Sequence, residues 1–326
     1  MKRYFFILML VLILIFISCK QTLHRKEKIK ISINDTTLHF KIHNFTIKIL
    51  PYLDLAYSKE QKTFPNVKIT DGEGIPLNLY RGKLFYHPVA LSSYAFKVLN
   101  VFYTTKDTSL LLFTEKIAKK LVDYSMSLDT CLYYPYNTDF YLHGKEDKSN
   151  TMRAPWYSSM AQGQVLSLFS RLYEFTGDSI YITYSRKTFN SLTKIKNIMK
   201  DSLSPWFAII DSAGYLWFEE YPQLPPNHTL NGMIFTLFGI YDYYRITKDS
   251  TALKFLRGGL TTIKHYLPLF RNEGDYSYYC LTHKVKSKSY HYVHISQLKE
   301  LYKITGDKYF LQMAQLFEKD AENKND

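Results

Sequence analysis

The chain has 326 residues, enough to bury a sizeable core in one large domain or two modest ones. With 46% hydrophobic and 22% charged residues, it fits neither a disordered tail nor a multi-spanning membrane protein. A net charge of +13 points to an acidic partner, whether nucleic acid, anionic lipid or acidic polysaccharide, and the 29 tyrosines suit a cleft that is both apolar and hydrogen-bonding, such as one for sugar.

Met1-Lys2-Arg3 precedes an unbroken apolar run from Tyr4 to Ile17, which ends in Ser18-Cys19. Basic residues, a short apolar stretch and a small residue read as a secretory signal. A small residue directly before Cys19 resembles a bacterial lipobox, in which Cys19 is lipidated and becomes the first mature residue. The alternative is an uncleaved anchor, although the run is short of the ~20 residues a span needs. The expected location is therefore the bacterial cell envelope, in the periplasm or outer membrane, with a membrane contact through the lipid. Export argues against nucleic acid as the acidic partner. The two remaining cysteines, Cys131 and Cys280, do not make a disulfide framework, and whether they pair is left open. No CxxC, HExxH or clustered His/Cys spacing occurs, so neither a metal site nor any other cofactor has sequence support.

The domain reading is a signal segment over 1–19, a tether and small β region with a connecting loop over 20–80, and a helical domain over 81–326. Apolar residues alternate at Ile29, Ile31 and Ile33, at Leu38, Phe40 and Ile42, and at Phe45, Ile47 and Ile49. With Asn34-Asp35 and His43-Asn44 as turns, this predicts a small antiparallel meander. In the main body, the pattern [FY]-x-x-T-[KG]-D occurs four times, at Phe102–Asp107, Tyr173–Asp178, Tyr244–Asp249 and Tyr302–Asp307. Helical periodicity precedes each Asp, as at Ala161, Val165, Leu168 and Leu172, and follows it, as at Ala252, Phe255, Leu256, Leu260 and Ile263. Each unit reads as helix, tight turn, helix, with the Asp capping the second helix. Four hairpins, about eight helices, predict a mainly α fold that closes into an (α/α) barrel or toroid, with long inter-hairpin segments over one cleft.

Those segments hold the unusual sequence: Tyr133-Tyr134-Pro135-Tyr136, then Arg153 to Gln164 (RAPWYSSMAQGQ), Trp217 to Pro222 (WFEEYP) with Asn231-Gly232, Tyr276 to Tyr279, and Tyr290 to Leu298 (YHYVHISQL). They resemble the D-glucuronyl C5-epimerase family, and the stretch from Gly72 to Pro88 is similar to that family's entry into its helical domain. The resemblance covers roughly residues 70 to 320. It implies an α/α barrel and inversion at C5 of glucuronate, to iduronate, in a heparosan-like polysaccharide. It also implies that Glu220, Tyr221, Tyr279 and Tyr290 carry the chemistry. Removing a proton α to a carboxylate needs a base, an acid on the opposite face, and relief of enolate-like charge.

Arg153 is a candidate for binding the anionic sugar, against the alternative of a structural ion pair. Trp156, Tyr157 and Trp217 are candidate stacking or wall residues, and Gln162, Asn231 and His294 are candidate polar contacts. For His294 and Gln162 the competing reading is core packing. The chain departs from the family at Cys280, where an acidic residue is common, and at Thr282, where human-type enzymes have Arg. Those departures bear on the substrate more than on the fold. Two other functions stay open: a polysaccharide lyase, which shares the first proton abstraction, and a glycan-binding surface lipoprotein without chemistry. A glycosidase built on Glu219 and Glu220 is disfavoured, because adjacent carboxylates point apart. The expected partner is an acidic uronate polysaccharide, and a homodimer is the candidate assembly.

Overall fold

Four helical hairpins build the body of the protein, in a computed structural model that describes residues 39–144, 150–197 and 205–325. Among the described residues these are α1 (Pro88–Thr105) with α2 (Thr108–Asp123), α3 (Ser159–Thr176) with α4 (Ser179–Leu192), α5 (Leu230–Thr247) with α6 (Ser250–Phe270), and α7 (Lys288–Thr305) with α8 (Lys308–Asn325). Each hairpin turns at the repeated motif. The first helix ends on a left-handed residue (Lys106, Gly177, Lys248 or Gly306) whose N–H returns to the Phe or Tyr carbonyl four positions back. The motif Asp then accepts a backbone N–H of the next helix, from Ser109, Ile180, Ala252 and Tyr309 respectively. One repeated piece of chain chemistry thus stops one helix and starts the next, four times over among the described residues.

The helices α1, α3, α5 and α7 pack in succession, with their partners α2, α4, α6 and α8 outside them, giving the α/α-toroid architecture. Packing is closest between α3 and α5, where two glycines meet. A Cβ on Gly239 would lie 2.7 Å from Gly163 Cα, and one on Gly163 would lie 2.5 Å from Thr236 Cα. Just beyond this contact the Arg171 guanidinium, fully buried, donates to Asp242 Oδ2 at 2.8 Å, Ser58 Oγ at 3.0 Å and the Ala56 carbonyl at 2.6 Å. A charge so removed from water is tolerated only when paired in this way.

Among the described residues, four short antiparallel strand pairs accompany the helices: β1 (Asn78–Tyr80) with β2 (Lys83–Phe85), β3 (Met126–Leu128) with β4 (Cys131–Tyr133), β5 (Phe140–Tyr141) with β6 (Thr151–Met152), and β7 (Ala208–Ile210) with β8 (Leu216–Phe218). The first of these precedes α1, and the others occupy the inter-hairpin segments. The expected meander is corrected over its described part, since residues 39–49 form no strand. Their alternation serves a strap instead. Phe40 and Phe45 insert into the core while Ile42 and Ile49 stay exposed. The strap's backbone bonds elsewhere: Lys41 N donates to Gly214 O, Lys48 N to Ile304 O, and Arg257 Nε to Phe45 O. With those partners taken, no ladder is needed to satisfy the strap's polar groups. The Ile29–Ile33 run and Cys19 lie outside the described residues.

Candidate active site

The segment leaving β8 sets the centre of the site. Glu219 N donates to Phe207 O and Glu219 O accepts from Ser159 N, which fixes the backbone between β7 and the start of α3. The two adjacent glutamates then diverge. Glu219, fully buried, accepts from His228 N at 3.0 Å and pairs with His228 Nδ1 at 2.6 Å. Glu220 turns the other way into a cavity, its carboxylate lying over Gly232 at the start of α5. Tyr279 reaches the same point from the α6–α7 loop. Its carbonyl accepts from Leu230 N, its N–H donates to Val285 O, and neighbouring Cys280 bridges to Thr229. The result is a hydrogen-bonded array: Tyr279 Oη donates to Glu220 Oε2 at 3.2 Å and lies 3.1 Å from Tyr221 Oη. Tyr290, in the first turn of α7, packs its ring 4.6 Å from that of Tyr279 and is 39% exposed, against 6–8% for the other three. The sequence thus names four residues from three segments that meet at one place.

The space they face has two lobes. The first, about 350 Å³, is lined by Glu220, Tyr221 and Tyr290 together with Tyr136, Trp156, Phe140, Ser158 and His87. The second, about 380 Å³, shares Tyr80, Phe140, Tyr221 and Tyr290 with it and adds Tyr141, His143 and Tyr279. His87 and Val89 at the start of α1 and Tyr290 at the start of α7 line one lobe, so the first and last hairpins both contribute to this cleft. Stacked rings make its wall: Tyr136 on Trp156 at 4.0 Å and Phe140 on Tyr221 at 5.7 Å.

Burial governs the electrostatics. It pushes the Glu220 carboxyl up to about 7, against hydrogen bonds from Tyr221 and Tyr279 that lower it. Burial and then the Glu220 charge raise the hydroxyls of Tyr221, Tyr279 and Tyr290, the first two well above the ordinary phenol. The site therefore holds one carboxyl that titrates near neutrality beside three phenols that keep their protons. His87 caps α1 by accepting from Ala90 N, and burial lowers its imidazole to about 4, so it faces the lobe uncharged.

Several sequence candidates fall elsewhere. Trp217 lies inside the core on β8, donates Nε1–H to Asp211 and stacks on His228 at 3.9 Å, so it is not a cleft wall. Gln162 is spent on the Tyr134 N–H, the Leu132 carbonyl and Ser191. His294 is fully buried against Ser277, with burial lowering it to about 3. Asn231 is buried at the start of α5 with its carbonyl accepting from Gln297, and Tyr157 packs on Tyr133 and Met126; neither lines either lobe. Arg153 is an exposed ion-pair partner of Asp139, the structural alternative. Trp156 alone of the binding candidates is a lining residue. Cys131 and Cys280 are buried free thiols.

Sequence reasoning did not assign Tyr80, Phe140, His87 or Arg81. Arg81 turns between β1 and β2 with its guanidinium 4.2 Å from the Tyr141 ring, which makes it a rim cation beside the second lobe. Its Tyr-Arg-Gly-Lys turn was the available signal. Neither Arg nor Lys is among the described residues lining the lobes.

The family model described as D-glucuronyl C5-epimerase C-terminus matches residues 129–319, more than half of the chain and every segment that forms the array. The chain belongs to this family. Among relatives of this C5-epimerase C-terminal domain, the uncharacterized protein MJ1128 of Methanocaldococcus jannaschii is 32% identical over 184 residues, 56% of each chain. The D-glucuronyl C5-epimerase of Caenorhabditis elegans is 28% identical over 178 residues, 49% of this chain and 28% of that one. The chain thus spans about half, or less, of the length of these curated relatives. In fold, it is similar to the cellobiose 2-epimerase of Bacillus thermoamylovorans B4167, with TM-score 0.50 and 11% identity over 73% of this chain and 61% of that one. That likeness concerns the α/α architecture.

Proposed function

We propose that this protein is a uronyl C5-epimerase acting on an acidic, uronate-containing polysaccharide. The observation that carries the reading is the Glu220 carboxyl, raised to about 7 and hydrogen-bonded to Tyr279 at the floor of an aromatic cleft. A base for C5–H must be deprotonated in use yet hold a proton well enough to take one from carbon, and a proton affinity near the working pH meets both demands. Phenols held protonated are proton donors rather than bases, so Glu220 takes the C5 proton and a hydroxyl of the Tyr279–Tyr290 pair returns one. The remaining hydroxyls face the enolate-like charge as it develops. Stacked Tyr136 and Trp156 supply the apolar platform a pyranose ring packs on. The membership of the C5-epimerase family supports the choice of C5 over other carbons.

The test is incubation with a heparosan-type polymer, followed by proton spectra for iduronate, chain length and ultraviolet absorbance. Iduronate at constant chain length is the expected result. Chain shortening with growing absorbance, the signature of an unsaturated product, would convert the reading to a lyase. Neither change on any uronate polymer would leave a binding protein.

A further inference from the structure

Beside the second lobe, three side chains from two distant segments converge: His143, Cys280 and His283. His143 Nε2 lies 3.3 Å from His283 Nδ1, Cys280 Sγ lies 3.5 Å from His283 Nδ1 and 3.8 Å from His143 Nε2. These three separations match one face of a tetrahedral ligand set. With about 2.0–2.1 Å from zinc to nitrogen and about 2.3 Å to sulfur, tetrahedral angles put two nitrogens roughly 3.3 Å apart and nitrogen and sulfur roughly 3.6 Å apart. We propose that His143, Cys280 and His283 form a binding site for a divalent, borderline-soft transition metal of the zinc class.

The backbone is arranged for it. Cys280 and His283 stand at C-x-x-H spacing on a turn closed by Lys284 N donating to Cys280 O, with Lys284 in the left-handed region at φ +49°. The backbone N–H groups of His283, Lys284 and Val285 face the sulfur. Such N–H donors orient and tune a metal thiolate. His143 is held at positive φ, +55°, in the turn after β5, which brings its ring against the Cys280–His283 turn. Cobalt and zinc suit two imidazoles and one thiolate, whereas magnesium and calcium demand oxygen.

Three protein ligands leave one position to water or an oxygen ligand. The metal joins the β5 turn to the loop carrying Tyr279, one residue from Cys280, and His143 itself lines the second lobe with Tyr221, Tyr279 and Tyr290. The sequence does hold one close His/Cys pair, Cys280-x-x-His283, which corrects the reading that none occurs; its third partner, His143, stands 137 residues away. The inference stands whether or not the protein is an epimerase.

The experiment is titration of the reduced full-length protein with cobalt(II), read by absorbance, with circular dichroism to confirm folding. The expected result is one cobalt per chain with a thiolate-to-metal charge-transfer band that zinc(II) abolishes. Cys280→Ser should lose the band. His283→Ala, which removes a partly exposed side chain and leaves the core intact, should weaken binding by roughly tenfold or more. A folded parent protein with no charge-transfer band at stoichiometric cobalt overturns the proposal. So does a band that survives Cys280→Ser, or binding unchanged in His283→Ala.

Discussion

Replacing Gly232 by alanine tests how tightly the position of Glu220 is specified. A Cβ at residue 232 would lie 2.5 Å from Glu220 Cβ and 2.7 Å from Glu220 Cδ, whereas ordinary contact begins near 3.4 Å. Helix α5 is held tightly, because the Gly163–Gly239 contact brings its backbone against α3. Glu220 must therefore shift by roughly 1 Å, and a misplacement of ~1 Å at a reacting group costs on the order of 10²-fold in rate. Overpacking itself costs about 1–3 kcal/mol, a fall of a few degrees in melting temperature. The control is Gly258→Ala on α6, whose Cβ would lie 2.7 Å from Phe40 Cδ2 under the strap, outside the lining of either lobe. Thermal unfolding and C5 proton exchange on a uronate polymer would be measured for both variants. The expected outcome is a similar loss of melting temperature, with the ~10²-fold loss of exchange confined to Gly232→Ala. Full exchange in a folded Gly232→Ala protein would refute the placement of Glu220 at the reacting centre.

Three further outcomes follow from the same geometry. Glu220 holds its proton up to about 7 when folded against an ordinary 4.5, so its contribution to stability is fully present below about 4.5 and is lost as pH rises through 7. The loss is on the order of 3 kcal/mol, so urea melts of Glu220→Gln at pH 4.5 and 8 should show a smaller decline than the parent, and equal declines would contradict the raised carboxyl. Tyr279→Phe removes a hydrogen bond that lowers the Glu220 proton affinity, so the acid limb of the pH–rate profile should move to higher pH; Tyr290→Phe should cut the rate by ~10²–10⁴ and leave that limb in place. Lys284 and Lys288 are exposed near the second lobe and the lobes themselves carry no Lys or Arg among the described residues, so affinity for a uronate polyanion should fall steeply with salt; an affinity unchanged from low to high salt would remove the +13 charge from the account of binding.

The hairpin architecture was legible because a local rule repeats. A capping Asp after a helix stop is a contact between near neighbours, and four copies of it announce four turns. The strap over 39–49 was misread for the converse reason: alternation records which side chains go inward, not whether the backbone finds a neighbouring strand. Within the site, Glu220, Tyr221, Tyr279 and Tyr290 came from family motifs, and the structure supplies what those motifs lack, a shared cavity and a hydrogen-bonded order. Trp217 and Gln162 stand in the same motifs as cleft residues yet face the other way, because a strand or helix buried on all sides gives no polarity signal to separate its faces. Cys280 and His283 stand at C-x-x-H spacing, but two such residues alone do not announce a site, and His143 joins them from 137 residues away only through the fold.

The most direct measurement is deuterium incorporation at C5 of a heparosan-type polymer incubated in heavy water with the parent protein and with Glu220→Gln. The account predicts deuterium at C5 with unchanged chain length for the parent, and exchange reduced by at least ~10²-fold in the folded variant. Exchange at the parent rate in Glu220→Gln, or none in the parent on any uronate polymer, would contradict it.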